Sequence, residues 1–447
     1  MSDGDTITVV KDMGLVSHVF NARTLAPLQG HLAIGHVRYS TTGASNWGNA
    51  QPIYREAGDA GFALGHNGNL TNTAELTASA GILPGTVSSD SDAVAELIQQ
   101  AMMDADPDVR SDGRDLERAL SKVLPELRGA FSLVLMDDSH VVGVRDPNGF
   151  RPMCLGRLDN GWVLSSETPG LDIVGAHFVR ELDPGEIVVI DATGVRSIKP
   201  FDQTRIDPKL CLFEFVYFAR PDSRLYGRTV HTARQHMGEL LAEQSPLPPD
   251  TVSPPRDAMV MPVPESGIPA AEGYARRSGI PFGHGLVRNR YIGRTFIAPG
   301  QDQRTMGVRM KFNPIRENIA GKRLMVIDDS IVRGTSTRAV VAMLREAGAA
   351  EIHLRISSPP YRWPCYFGMD TGTRGELIAA NLTLPEVRDY LGCDTLAYLE
   401  LDRLVTATGV PGAGFCTACL TGEYPVAVPE ARVDDELPSV DLVHPNG

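Results

Sequence analysis

Up to about residue 200, apolar and polar positions alternate in short runs bounded by Gly, Asn, Asp or Pro. The runs 32–39, 61–66, 130–136, 140–145, 162–166 and 186–190 read as strands of an antiparallel sheet. One longer segment breaks the pattern. Residues 87–103 open on Ser88-Ser-Asp-Ser-Asp92 and continue with Val94, Leu97, Ile98 and Met102 at helical spacing, which predicts a capped amphipathic helix. The front half is therefore expected to be a layered α+β domain.

From about residue 205 the period changes. Continuous apolar runs at 258–263, 323–327 and 351–356 alternate with amphipathic stretches near 270–278 and 336–347. Strands without alternation, separated by helices, predict a parallel sheet covered on both faces. Residues 245–255 are Pro-rich and read as a surface loop, and the acidic, Pro-containing tail after Tyr424 as loosely ordered. No internal repeat is visible.

Composition narrows the class. The chain has 447 residues, 42% of them hydrophobic and 22% charged, with a formal net charge of −13. These values suit a two-domain protein with a sizeable core and exclude disorder throughout. No stretch approaches the ~18–20 apolar residues that span a bilayer. Met1-Ser-Asp-Gly-Asp-Thr has neither a basic nor an apolar region, so a cytoplasmic protein is expected. The negative charge argues against nucleic acid and anionic lipid as partners.

The most informative segment is Arg323-Leu-Met-Val-Ile-Asp-Asp-Ser-Ile-Val-Arg-Gly-Thr-Ser-Thr337. A buried strand ends in Asp328 and Asp329, followed by Ser330 and Arg333, and a helix starts near Ser336. Ligands of open α/β sheets bind beyond the carboxyl ends of the strands. There Gly334, Thr335, Ser336 and Thr337 offer amides and hydroxyls to a phosphate at a helix N-terminus. The two carboxylates suit sugar hydroxyls or a Mg²⁺ carried by a diphosphate. A plain strand–helix turn with capping side chains would use the same residue types. The order of two acids, a branched apolar pair, Arg-Gly and three hydroxyl residues resembles the ribose-phosphate loop of phosphoribosyltransferases. Ser266, in the turn Pro262-Val-Pro-Glu-Ser-Gly267, is placed to help hold the metal. Between Gly285 and Arg316 lie Arg288, Arg290, Arg294, Arg304, Arg309, Lys311 and Arg316, against a single acid, Asp302. Such a basic island inside an acidic chain calls for an anionic partner.

Six cysteines do not make a disulfide scaffold in a chain of this length. Cys416-x-x-Cys419, with Cys211 and Cys365 single in the chain, would bind either Zn²⁺ or an iron–sulfur cube, and spacing alone does not choose. Cys154 and Cys393 read as buried small hydrophobes.

Together these segments resemble the glutamine phosphoribosylpyrophosphate amidotransferases (amidophosphoribosyltransferases), in their iron–sulfur-containing branch, over nearly the whole chain. The resemblance implies an N-terminal-nucleophile glutaminase-type αββα sandwich, truncated, over 1–203. A phosphoribosyltransferase-type parallel α/β domain follows over 204–424, with a flexible tail at 425–447. It implies a structural [4Fe–4S] cluster on Cys211, Cys365, Cys416 and Cys419, and Mg²⁺ near Ser266, Asp328 and Asp329. Phosphoribosyl diphosphate would be held by Asp328, Asp329, Ser330, Arg333, Gly334, Thr335, Ser336 and Thr337, with Arg290 and Lys311 from a closing loop. In the front half, Gly35-His-Val-Arg-Tyr-Ser-Thr-Thr-Gly43, Gly65-His-Asn-Gly-Asn-Leu70 and Ser89-Asp-Ser-Asp92 look like glutamine-binding pieces. Arg38 would bind the α-carboxylate, Asp90 the α-ammonium, and Asn67 with the Gly68 N–H would form an oxyanion hole. The implied reaction makes 5-phosphoribosylamine from phosphoribosyl diphosphate and glutamine-derived ammonia, the first step of purine nucleotide synthesis. Purine nucleotides would inhibit by feedback, and a homotetramer is expected.

One departure stands out. The family's chemistry needs an N-terminal cysteine, and no Cys precedes Cys154. The chain as written is thus expected to use ammonia but not glutamine, with Ser2 to Val10 aligned to a later strand of the domain. Two rivals share parts of the pattern. A purine-responsive regulator on a phosphoribosyltransferase fold would need a DNA-binding segment, and no recognition-helix pattern is present. A glutaminase joined to a sugar-phosphate isomerase would lack both the Asp328-Asp329 run and the four cysteines.

Overall fold

The computed structural model describes residues 1–38, 46–83, 85–104, 113–253, 256–289, 309–369, 371, 373–410 and 414–429. Six antiparallel strands form the main sheet of the front half, in the order Ile53–Ala57, Ala60–Leu70, Gly129–Met136, Val141–Arg145, Ile187–Asp191 and Gly194–Ile198. Side chains alternate across the pleat. Phe131, Leu133 and Leu135 point to one face, where Val94 and Ile98 of the helix Asp90–Met103 and Leu116 and Leu120 of the helix Asp115–Val123 cover them. Val134, Val188 and Ile190 point to the other face and meet Leu155 of a second sheet and Met153 just before it. That sheet has three strands, Gly161–Ser165, Cys154–Leu158 and His177–Glu181. Its far side buries Cys154 and Ala176 under Leu171 of the helix Thr168–Ile173. The layers run helix, sheet, sheet, helix, which is the αββα sandwich expected. The long helix starts where the sequence places a cap: the Ser89 hydroxyl accepts from Asp92 N at 3.2 Å.

Two expectations fail here. Residues 33–38 form no strand, and Leu32 makes only an isolated bridge to Ser2. The stretch Ser2 to Val10 is likewise no strand, with bridges only from Ser2 to Leu32 and Ile7. Alternation suits a pleated surface, but a strand exists only where a neighbour takes its hydrogen bonds.

In the back half four parallel strands lie in the order Ala258–Pro262, Arg323–Asp328, Glu351–Ile356 and Thr395–Tyr398. Both faces are covered, as unbroken apolar strands require. Val260, Met325 and Ile327 pack under the helices Val230–Gln244 and Ile268–Ser278. Met259, Met261, Leu324 and Val326 pack under the helices Thr335–Glu346 and Leu384–Leu391. The two helices of the first face touch backbone to backbone, since a Cβ on Gly238 would stand 1.8 Å from the Ala270 carbonyl oxygen.

The halves meet in a small apolar cluster of Ala130, Phe150, Tyr366, Phe367, Cys416 and Ala418, with Phe150 stacked on Phe367 at 4.4 Å. Among the described residues no helix is long and apolar enough to cross a membrane.

Candidate functional site

The strand Arg323–Asp328 is buried through Ile327 and delivers Asp328 and Asp329 to the carboxyl edge of the parallel sheet. The turns after both neighbouring strands close on this end: Val263 N donates to Ile327 O at 2.8 Å and Ser357 N to Asp328 O at 2.9 Å. Gly267 sits so close that a Cβ there would lie 2.6 Å from Ile327 O. Burial pushes both carboxyls up, and repulsion by Asp329 drives Asp328 well above the usual carboxylate range, against the pull of Lys311. Asp329 is raised by burial, opposed by hydroxyl bonds from Ser266 and Ser330 and by the Arg234 charge. Ser266 thus stands beside Asp329.

Beyond the acids the chain turns through Gly334, whose φ of 77° is left-handed and whose missing Cβ leaves room for Ile378. Thr335, Ser336 and Thr337 form the first turn of the helix Thr335–Glu346. Their N–H groups have no intrahelical acceptor, and no side chain caps this end. Amides, hydroxyls and the positive helix end face the same edge as the two carboxylates. This arrangement can take a phosphate on one side and sugar hydroxyls or a cation on the other. Arg333 is turned away into an ion pair with Glu376. Arg290 lies outside the described residues. The antiparallel pair Leu286–Arg288 and Phe312–Pro314 leads to the rest of the basic island. Its described members already have partners on this chain: Arg288 meets Glu265, Arg309 meets Glu346, and Lys311 faces Asp328.

In the front half, Asn67 and Gly68 lie on the strand Ala60–Leu70, in register with Ser132 and Phe131. Gly68 has φ 151°, and a Cβ there would fall 2.1 Å from Ala130 O. Asp90 opens its helix beside the same strand end, where it accepts from Leu70 N at 3.1 Å and Ser91 N at 2.8 Å. His66 Nδ1 stands 3.7 Å from the Asp90 carboxylate. The segment that carries Arg38 docks through His36, whose Nε2 lies 3.0 Å from His66 O. Burial holds His36 down to about 4 and so neutral. The structure therefore gathers Asn67, Gly68 and Asp90 at one strand end and brings the Arg38 segment to it.

The four cysteines converge from three segments. Cys211 and Cys416 pair in register in the short parallel ribbon of Leu210–Cys211 and Phe415–Cys416. Cys419 follows in the turn Ala418–Thr421, and its carbonyl accepts from Arg362 N and Trp363 N at 3.0 Å each. Cys365 is bridged to Thr371, and its sulfur accepts from Phe367 N at 3.4 Å. Burial pushes every one of these thiols up, Cys211 to about 12, and the sulfurs raise one another further. Four unbridged sulfurs close enough to repel as thiolates, in a dry pocket with N–H donors, fit a group that replaces their protons with metal. They are not drawn together around one centre: among the described residues no three His, Cys, Asp or Glu side chains close on a single ion. Cys154 and Cys393 are buried elsewhere, their thiols donating to Ser165 O and Arg388 O, as small hydrophobes do.

Two residues escaped the sequence reading. Arg151 and Glu214 form a buried ion pair at 3.0 Å between the cysteine pocket and Asn67. The only signal was the polar, turn-rich run Arg145-Asp-Pro-Asn-Gly-Phe-Arg151 beside otherwise apolar strands, and Glu214 inside the apolar stretch after Cys211.

A family profile described as a glutamine amidotransferase domain matches residues 36–172. The amidophosphoribosyltransferase of Mycobacterium tuberculosis H37Rv is 50% identical over 442 residues, covering 96% of this chain and 80% of the relative. That of Bacillus subtilis 168 is 40% identical over 447 residues, covering 98% and 89%. A solved structure of glutamine phosphoribosylpyrophosphate amidotransferase from B. subtilis, complexed with ADP and GMP, superposes with TM-score 0.84 at 39% identity over 97% of this chain and 91% of that one.

Proposed function

We propose how the residues divide the work, from the premise that the chain belongs to the amidophosphoribosyltransferase family. It is a glycosyltransferase, and its reaction is the formation of 5-phosphoribosylamine that opens purine nucleotide synthesis. In our reading residues 204–424 hold phosphoribosyl diphosphate. The amides and hydroxyls of Gly334, Thr335, Ser336 and Thr337 grip the 5-phosphate. Asp328 and Asp329 orient the ribose hydroxyls, so that C1 faces the incoming ammonia. Ser266, Asp328 and Asp329 would hold Mg²⁺, which when bound neutralises the departing diphosphate. Lys311, with Arg290, adds positive charge on the leaving-group side, where it favours cleavage of the C1–O bond over the bound ground state.

Residues 1–203 would receive glutamine, with Arg38 on its carboxylate, Asp90 on its ammonium, and Asn67 and the Gly68 N–H at the developing oxyanion. Cys211, Cys365, Cys416 and Cys419 would carry a [4Fe–4S] cluster whose role is to tie three distant segments together. Purine nucleotides as inhibitors, a homotetramer and a cytoplasmic location belong to the same reading. The observation that carries it is the pair of adjacent acids at the strand's carboxyl end beside an uncapped helix start. Calorimetry tests it: phosphoribosyl diphosphate with Mg²⁺ should bind the purified chain, and ammonium should then yield phosphoribosylamine. Absence of magnesium-assisted binding would overturn the assignment.

A further inference from the structure

Arg151 stands where the two halves meet, and its guanidinium is shared among several groups. Nε–H donates to Asn67 Oδ1 at 3.3 Å, and Nη1 pairs with Glu214 Oε1 at 3.0 Å. The same guanidinium lies beside the Cys211 and Cys365 sulfurs, and covers the Phe218 ring at 4.7 Å. Its side chain is 11% exposed and that of Glu214 4%. The main chain is held as firmly, since Arg151 O accepts from Ser132 Oγ at 3.1 Å and from Arg145 Nε at 3.0 Å.

This contact has a direction. Guanidinium nitrogens only donate, so the Asn67 atom that meets Arg151 is the carbonyl oxygen. The Asn67 NH₂ is thereby left to face away, as an oxyanion donor must. A second contact runs in parallel. Asn69 Nδ2 donates to Tyr366 O at 2.9 Å, and a Cβ on Gly368 would lie 3.5 Å from Gly68 Cα. The segment that carries Cys365 and the guanidinium beside Cys211 therefore both end on Asn67, Gly68 and Asn69.

We propose that Arg151 is a positioning residue for Asn67, through which the filling of the four-cysteine pocket sets the oxyanion donors of the other half. The inference rests on the reading above, that these cysteines hold a common group and that Asn67 and Gly68 face the oxyanion. A metal-bound thiolate is a strong acceptor and a thiol a weak one. With the pocket filled, Cys211 and Glu214 fix two corners of the guanidinium, and Nε–H has one remaining direction. With the pocket empty, Glu214 alone steers it and Asn67 loses its fixed partner.

Hydrogen–deuterium exchange on the full chain tests this, with iron and sulfide content measured on the same samples. Stripping the wild type with a chelator should speed exchange at residues 66–70 by about tenfold, the scale of one lost charge-assisted bond. The strand Ile187–Asp191 should not change. Arg151→Lys keeps a charge for Glu214 but has one nitrogen, which cannot serve both the sulfur and Asn67. It should retain iron and sulfide yet exchange at 66–70 like the stripped wild type. Loaded Asn67→Ala cuts the same bond from its other end and should do likewise, even if the arginine variant does not load. Unchanged exchange at 66–70 on stripping, or loaded variants as slow as loaded wild type, would overturn the proposal. A wild type that takes up no iron and sulfide would instead overturn the cysteine reading beneath it.

Discussion

Asp328→Asn should make the protein more stable and abolish its chemistry. Asp328 and Asp329 are adjacent, with burial and mutual repulsion both lifting Asp328. Two unit charges roughly 5 Å apart at an effective dielectric of about 20 repel by about 3 kcal/mol. Lys311 offsets part of this, and Asp328 is itself only partly buried, so relief of about 1–2 kcal/mol is expected. For a half of this size that raises the melting temperature by about 2–6 °C. The sign follows from linkage. A carboxyl raised in the folded state makes the folded wild type bind protons more tightly, so wild-type stability rises as pH falls through the raised value toward the ordinary ~3.9. The advantage of the variant should therefore be full at neutral pH and shrink on acidification. Adding Mg²⁺ and phosphoribosyl diphosphate should reverse the order. At a hundredfold excess over Kd the wild type gains about 2.7 kcal/mol and the variant none. Scanning calorimetry with and without ligand, at two pH values, is sufficient. A variant less stable than wild type at neutral pH without ligand would refute the reasoning.

Gly68→Ala should cost about 3 kcal/mol or more, because the new Cβ would stand 2.1 Å from Ala130 O in a paired strand. Urea unfolding followed by circular dichroism measures the loss. His140 is raised chiefly by the bond its Nδ1–H donates to Asp137, with Glu117 and Asp191 adding to it. Its stabilisation is complete below the unfolded value of ~6.5 and disappears as pH climbs through the raised folded value. Wild type should melt above His140→Gln by about 0.5–1 kcal/mol equivalent near pH 6, and the gap should close in alkali.

The strand end and turn at 323–337 were legible because their chemistry is local: acids, turn glycine and hydroxyl residues follow one another, and the apolar run before them can only be a buried strand. The covered parallel sheet was legible for the same reason. Residues 33–38 misled because alternation reports a face to bury and says nothing of a partner strand. The strand His177–Glu181 went unread because three of its five residues are exposed, so period and burial disagree. Arg151 and Glu214 were invisible as a pair, since only folding brings a turn of one half against the first helical turn of the other.

The pairing of Cys211 with Cys416 has a consequence for how the chain comes into being. Its two sides are separated by on the order of 200 residues, so the ribbon is among the last contacts a ribosome can deliver and carries a large closure entropy. Until residue 416 has emerged, the start of the second half lacks a neighbour at its inner end. A prematurely terminated product would leave this seam exposed.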